Sequence, residues 1–157
     1  MMRIRTAEAE DASAIQALIG LVYAEYGCVL NVDEDEPHLR EPGEYFRSRG
    51  GEFWVVEDDA GIKATVAVML HADEVSELKS LYVHPSLRRQ GWGRRLTELA
   101  LEHARRSGST KMFLWSDTRF LDAHRLYRSM SFLPCGTREL HDSNNSVEFG
   151  FEMWLER

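Results

Sequence analysis

The sequence is short of the features that mark specialised protein classes. It has two cysteines, Cys28 and Cys135, far apart and without a C-x-x-C spacing, so neither a disulfide framework nor a thiolate zinc site follows. Long apolar runs are missing. The longest, Val66–Leu70, falls well short of the roughly 18 residues that a membrane span needs. The opening stretch Met1–Asp11 is polar and carries acids, unlike a secretory signal, and the expected location is the cytoplasm. Basic charge is not in excess: 19 Lys and Arg stand against 26 Asp and Glu, a net charge of −7, which argues against nucleic acid as a partner. No repeat, low-complexity stretch or Ser/Gly linker divides the chain, so residues 1–157 read as one domain.

What is present is the composition of a globular protein, with 43% apolar and 29% charged residues. The charge is uneven. Residues 1–70 carry 6 basic and 14 acidic side chains, whereas residues 71–110 carry 7 basic and 5 acidic. A locally basic middle suits a small anionic ligand, or is a solvated basic helix face.

Hydrophobic periodicity gives the element order β-α-α-β-β-β-α-β-α-β-β. Met2–Thr6 reads as an edge strand. Asp11 or Ser13 caps a helix with Ile15, Leu18, Ile19 and Val22 on one face, ended by Gly27. Asn31–Pro42 reads as an acidic loop and Glu44–Arg49 as a short helix closed by Gly50-Gly51. Phe53–Glu57 and Ile62–Leu70 form a hairpin around Asp58–Gly61, and Val75–Val83 is a third strand stopped by His84-Pro85. A helix over 91–107, a strand Lys111–Trp115, a helix bearing Ala123, Leu126, Tyr127 and Met130, and strands Leu133–Leu140 and Val147–Trp154 complete the chain. Strand, helix 91–107 and strand make a crossover, so Val75–Val83 and Lys111–Trp115 should be parallel neighbours in a mixed α/β sheet whose hairpins are antiparallel.

The segment Arg88-Arg89-Gln90-Gly91-Trp92-Gly93-Arg94-Arg95 stands between a strand and an amphipathic helix. Glycines let backbone approach a ligand closely, and a helix start offers unpaired N–H groups and a positive dipole end. In physical terms this is a pyrophosphate cradle. It is no Walker loop, because Gly-Lys-Ser/Thr occurs nowhere, and no dinucleotide fingerprint, because Leu96 occupies the third glycine position.

Glu77–Gly93, ELKSLYVHPSLRRQGWG, resembles the signature strand, turn and acetyl-CoA loop of the GNAT superfamily of N-acetyltransferases. Ala123–Phe132 is similar to that family's A-x-x-L-Y-x-x-x-G-F segment, and the element order is the family's too. The resemblance implies a GNAT-like fold: a central twisted mixed sheet of about six to seven strands flanked by about four helices. It departs from the family at Ser131, where glycine is usual, and at Phe120, where asparagine is frequent; Asp117 or Thr118 is then the expected cap of the following helix.

By resemblance, acetyl-CoA is the co-substrate and no metal is needed. The donor arm would lie between two splayed strands, against the backbone of Leu81, Tyr82 and Val83. The pyrophosphate would rest on amides of Arg89, Gly91, Gly93 and Arg94, with Arg88, Gln90 and Trp92 in the same loop. Tyr127 occupies the position of the family's general acid, although its stripe also suits a core tyrosine. Glu77, fourteen residues before Gly91, is the candidate base, or else a strand glutamate paired with Lys79. His71, Glu74 and His84 are neighbouring alternatives, as is an amine already neutral or deprotonated through water. Ser76-x-x-Lys79 lies mid-strand rather than at a helix start and is not read as an acyl-enzyme site. Cys135 is read as a buried cysteine rather than a nucleophile.

The acceptor is expected to be a primary amine of a small molecule. Asp33–Glu36 would give its site an acidic wall favouring a cation, or is a solvated loop. Tyr23, Glu25 and Tyr26 are candidate lining residues, as are Trp115 and Trp154, which otherwise read as core tryptophans. Alternatives are an enzyme of protein N-termini or lysines, and a non-catalytic acyl-CoA-binding module. Neither nucleic acid nor membrane is an expected partner, and a homodimer is compatible with the reading.

Overall fold

The computed structural model describes residues 1–156. Seven strands form one sheet: β1 (Arg3–Thr6), β2 (Glu52–Asp58), β3 (Gly61–His71), β4 (Val75–Val83), β5 (Lys111–Asp117), β6 (Leu133–Glu139) and β7 (Val147–Trp154). Their order is β1-β2-β3-β4-β5-β7-β6. Five helices flank the sheet: α1 (Ala12–Ala24), α2 (Val32–Asp35), α3 (Pro42–Arg47), α4 (Trp92–Arg106) and α5 (Leu121–Ser129). As the crossover requires, β4 and β5 run parallel, and every other neighbouring pair is antiparallel.

The fifth helix is the departure from expectation. Asn31–Pro42 is not simply loop: the Asn31 side chain accepts from the Glu34 amide and starts α2, and Pro42 opens α3 two residues earlier than expected. Asp11 sits at the start of α1 without capping it. Its carboxylate instead accepts from both terminal nitrogens of Arg5, at 2.7 and 2.9 Å, and from the Glu8 amide.

The sheet separates two cores. On one face, Leu96, Ala100, Leu101 and Ala104 of α4 and Tyr127 of α5 pack with Val66, Leu78, Met112, Leu114 and Phe151. On the other, Ile15 and Ile19 of α1 and Phe46 of α3 pack with Phe53, Val55 and Ala67. Alternation along β4 reverses partway. Leu78 belongs to the α4 side, and a regular strand would send residue 82 there too. The register with β3 slips instead, Thr65 facing Tyr82 and Ala67 facing Lys79, and Ser80 adopts φ 55°. The Thr65 hydroxyl donates to the Ser80 carbonyl at 2.7 Å and holds this bulge. Leu81 and Val83 therefore pack on the α4 side, and Tyr82 on the α1 side.

Gly51 fixes the approach of the α3 exit to β3, because a Cβ there would lie 1.7 Å from the Val68 carbonyl oxygen. Gly51→Ala is therefore expected to destabilise the fold by about 2–3 kcal/mol, as overpacking against unyielding backbone does. A urea midpoint equal to wild type would show that the turn relaxes.

Candidate active site

The parallel pairing of β4 and β5 is brief. Val75, Ser76 and Glu77 face Lys111, Met112 and Phe113, and the ladder stops there. Beyond that point β4 follows β3 through its bulge while β5 follows β7 as far as Asp117. The strands part, and a cleft of about 400 Å³ opens between them. Glu77, Leu81 and Tyr82 line it from β4, Trp115 and Asp117 from β5, and Tyr127 from α5.

Tyr127 is 4% exposed, between the rings of Phe132 and Phe151, each 5.7 Å away. Among the described residues nothing hydrogen-bonds its hydroxyl, although the residue faces the cleft. Burial pushes the phenol above its ordinary pKa, so the group stays protonated at neutral pH. A core position and a cleft position are thus one and the same here.

Glu77 lies on the α1 side of the sheet, its carboxylate 2.9 Å from His71 Nε2 and 3.7 Å from Lys79 Nζ. The anticipated pairing with Lys79 is present, and the residue is among those lining the cleft. His84 is elsewhere: its ring accepts from the Ser86 amide and caps the turn at 85–87. Ser76 and Lys79, three apart on a strand, point to opposite faces, so the S-x-x-K spacing brings nothing together.

The Gly-rich loop enters α4 with Arg89 at φ 62° and Gly91 at φ 81°. No side chain caps the helix, and the first bond along its axis runs from the Arg95 amide to the Gly91 carbonyl. The amides of Trp92, Gly93 and Arg94 precede it and point out of the helix end. Such a row fits a phosphate. Gly91 needs its left-handed conformation and has open space around it. Gly93 serves packing instead, since a Cβ there would sit 3.0 Å from Leu126 Cδ2 of α5. The arginines are less free than the sequence suggests. Both terminal nitrogens of Arg88 bind the Glu25 carboxylate, and its Nε donates to the Val83 carbonyl at 3.3 Å. Arg94 donates to Ser129 Oγ, Gln90 to the Ser86 carbonyl, and the Arg95 guanidinium stacks on the Trp92 ring.

The opposite wall of the cleft is acidic. Glu34, Asp35 and Glu36 line it, whereas Asp33 turns away to Arg40. Tyr23 and Trp115 line it as expected. Glu25 is taken by Arg88, and Tyr26 stacks on Phe120 at 4.9 Å outside the lining. Trp154 is 68% exposed at the end of β7, beside Lys111, and takes no part. Neither Asp117 nor Thr118 caps α5. The Asp117 carboxylate accepts from the Arg119 amide, and the Thr118 amide is held by the Val147 carbonyl. Ser131 replaces the usual glycine yet keeps its backbone, with φ 74°. Cys135 is exposed on β6 rather than buried, because that edge strand is covered on neither face.

Sequence reasoning missed the contribution of β6, β7 and their connection: Arg138, Asp142, Asn144 and Glu148 all line the cleft. Asn144 also reaches across to the segment after α1. Its side chain accepts from the Val29 amide at 2.9 Å and donates to the Val29 carbonyl at 2.8 Å, as a strand partner would. The Ser143 amide donates to Asp35, and Arg119 donates to the Asn144 carbonyl. The turn-forming Asp142–Ser146 stretch was visible in sequence, but not what it would meet.

Residues 17–132 match the model of the acetyltransferase (GNAT) family. The chain belongs to that family. It is an acetyl-CoA-dependent acyltransferase, and among the described residues no cluster of side chains is arranged to hold a metal. An uncharacterised N-acetyltransferase of Escherichia coli (strain K12), YjgM, is 28% identical over 130 residues, covering 78% of this chain and 77% of that one. Among solved structures, a GNAT-family acetyltransferase of Staphylococcus aureus Mu50 superposes with a TM-score of 0.82 at 17% identity, over 95% of this chain and 98% of the other. The putative acetyltransferase yncA of Salmonella typhimurium, solved with acetyl-CoA, gives 0.77 at 20% identity, over 99% and 94%. No helix among the described residues is long and apolar enough to cross a membrane.

Proposed function

We propose that this enzyme moves the acetyl group of acetyl-CoA onto a primary amine of a small molecule, by direct attack within a ternary complex. The observation that carries the small-molecule reading is the clasp between Asn144 and Val29, reinforced by Ser143 on Asp35. It ties the two loops that flank the acceptor side of the cleft to each other. An extended polypeptide needs an open groove there, whereas a compact amine does not.

The chain's own groups divide the work. Amides of Arg89, Gly91, Trp92, Gly93 and Arg94 receive the pyrophosphate. Arg88, bound to Glu25, braces the loop against α1 rather than contacting phosphate itself. The backbone of Leu81, Tyr82 and Val83, on the edge of β4 that β5 leaves open, aligns the donor arm and offers an N–H to the developing oxyanion. Glu77 takes the ammonium proton, directly or through one water, so that a neutral nitrogen attacks. Tyr127, protonated and buried with its hydroxyl uncommitted, donates to the departing sulfur.

The deciding assay is CoA release with a panel of small primary amines and a panel of peptides with free N-termini or lysines. Small amines should be turned over with a kcat/KM at least about tenfold higher; the reverse ranking would favour a protein acceptor. Release with neither, from a protein that binds acetyl-CoA, would favour a non-catalytic binding module.

Gly91 separates charge from backbone in the cradle. Asn and Asp both tolerate a left-handed residue, so Gly91→Asn and Gly91→Asp should fold alike. Only Gly91→Asp sets a negative charge beside the pyrophosphate, and its acetyl-CoA affinity should be lower by at least tenfold, about 1.4 kcal/mol, in calorimetry. Equal affinities would remove the cradle assignment.

Tyr127→Phe should slow turnover by on the order of 100-fold while acetyl-CoA affinity is kept. Glu77→Gln should abolish, or move upward, the rising limb of kcat/KM against pH. A limb that survives and follows the acceptor's own pKa would assign deprotonation to the free amine.

A further inference from the structure

The cleft holds a carboxylate for which the transfer chemistry has no use. Glu36 stands at the end of α2 with its carboxylate turned into the cleft beside Tyr23 and Tyr82. The Tyr23 hydroxyl donates to it at 2.7 Å. That uses the single Tyr23 proton, so in the 3.3 Å contact between the two phenols it is Tyr82 that donates. Among the described residues Glu36 has no other hydrogen-bond donor and no salt bridge, though a carboxylate can accept about four hydrogen bonds. Burial accordingly raises its pKa above the ordinary carboxylate value.

No nearby cation meets this need. Lys79 is near enough for its charge to favour the Glu36 carboxylate, but its ion pair is with Glu77. Arg138 is bound to Glu148 and stacked 4.4 Å over the Trp115 ring. His38 is pushed down to about 4 by burial and is neutral at physiological pH. Asp35 and Glu148 add negative charge around Glu36. Aromatic rings border the same space, Tyr82 lying 5.9 Å from Tyr23 and 6.4 Å from Phe120. Carboxylate and rings together suit an alkylammonium, whose methylenes lie on the rings while its charge meets the acid. Tyr127, buried with an unpartnered hydroxyl, marks the reacting end of the same cleft. A simple monoamine reacts there as the neutral amine and leaves Glu36 unmatched.

We propose that the acceptor is a small amine carrying a second cationic group, and that Glu36, steadied by Tyr23, is the carboxylate that binds that second group. This rests on the small-molecule reading of the site given above. Glu36 makes a charge-assisted hydrogen bond to the far ammonium, and the near nitrogen is left at the open edge of β4.

The test compares α,ω-diamines of three to six carbons with 1-alkylamines of the same length, at equal concentrations of the unprotonated form. The best diamine should exceed its monoamine in kcat/KM at least tenfold, chiefly through KM. Glu36→Gln, which preserves shape and a partner for Tyr23, should collapse that ratio towards one, and Tyr23→Phe should lower it partly. Calorimetric acetyl-CoA binding by both variants reports that the donor half is intact. Diamines no better than monoamines in the wild-type enzyme would overturn the inference, as would an advantage that survives Glu36→Gln. Transfer to monoamines and diamines alike overturns this inference alone; transfer to no small amine overturns the small-molecule reading and this one with it.

Discussion

The early parting of β4 from β5 is the constraint on which the rest of the molecule depends. Two neighbouring parallel strands would ordinarily zip along their length. Here three residues of each pair before the ladder ends. Two commitments hold them apart: β4 follows β3 through a bulge held by Thr65, and β5 pairs with β7 over seven residues. The bulge also exchanges the faces of β4, so Leu81 and Val83 anchor the strand in the α4 core while Tyr82 joins the α1 side. One irregularity therefore opens the slot, frees backbone along it and helps furnish its far wall.

Charge follows the same division. The donor end offers helix amides and arginines, several of them tied by Glu25, Ser129 and a ring stack, so the loop is held in shape before any ligand arrives. The acceptor end is lined by carboxylates whose cationic neighbours are already engaged. The cleft is thus basic at one end and acidic at the other, a polarity that favours anions at the first and cations at the second.

The strand, Gly-rich loop and helix entry from β4 to α4 are legible in the sequence because they are local. Glu77 to Gly93 is one unbroken run in which strand, turn and helix entry can each be recognised, and the hydrophobic period of α5 puts Tyr127 on its core-facing stripe. What could not be read depended on side chains choosing among partners distant in the chain. Arg88 resembled a phosphate ligand and was taken by Glu25. Asp11 resembled a cap and was taken by Arg5. Ser131 looked like a lost glycine, yet serine adopts the same left-handed backbone at a modest cost. Trp154 and Trp115 lie on one face of neighbouring strands, and only their positions along the sheet leave Trp115 in the cleft and Trp154 in solvent beside Lys111. The share of β6 and β7 in the cleft had no sequence signature, because polar residues near a turn look alike whether they meet water or a substrate.

The clasp between Val29 and Asn144 joins positions 115 residues apart. Loop closure over such a span is entropically demanding. The acidic wall of the cleft and the turn before β7 are thereby joined by contacts that neither segment can make alone. The far wall of the cleft is thus built from segments that share no element with the Gly-rich loop, so one end of the cleft can change while the other stays constant.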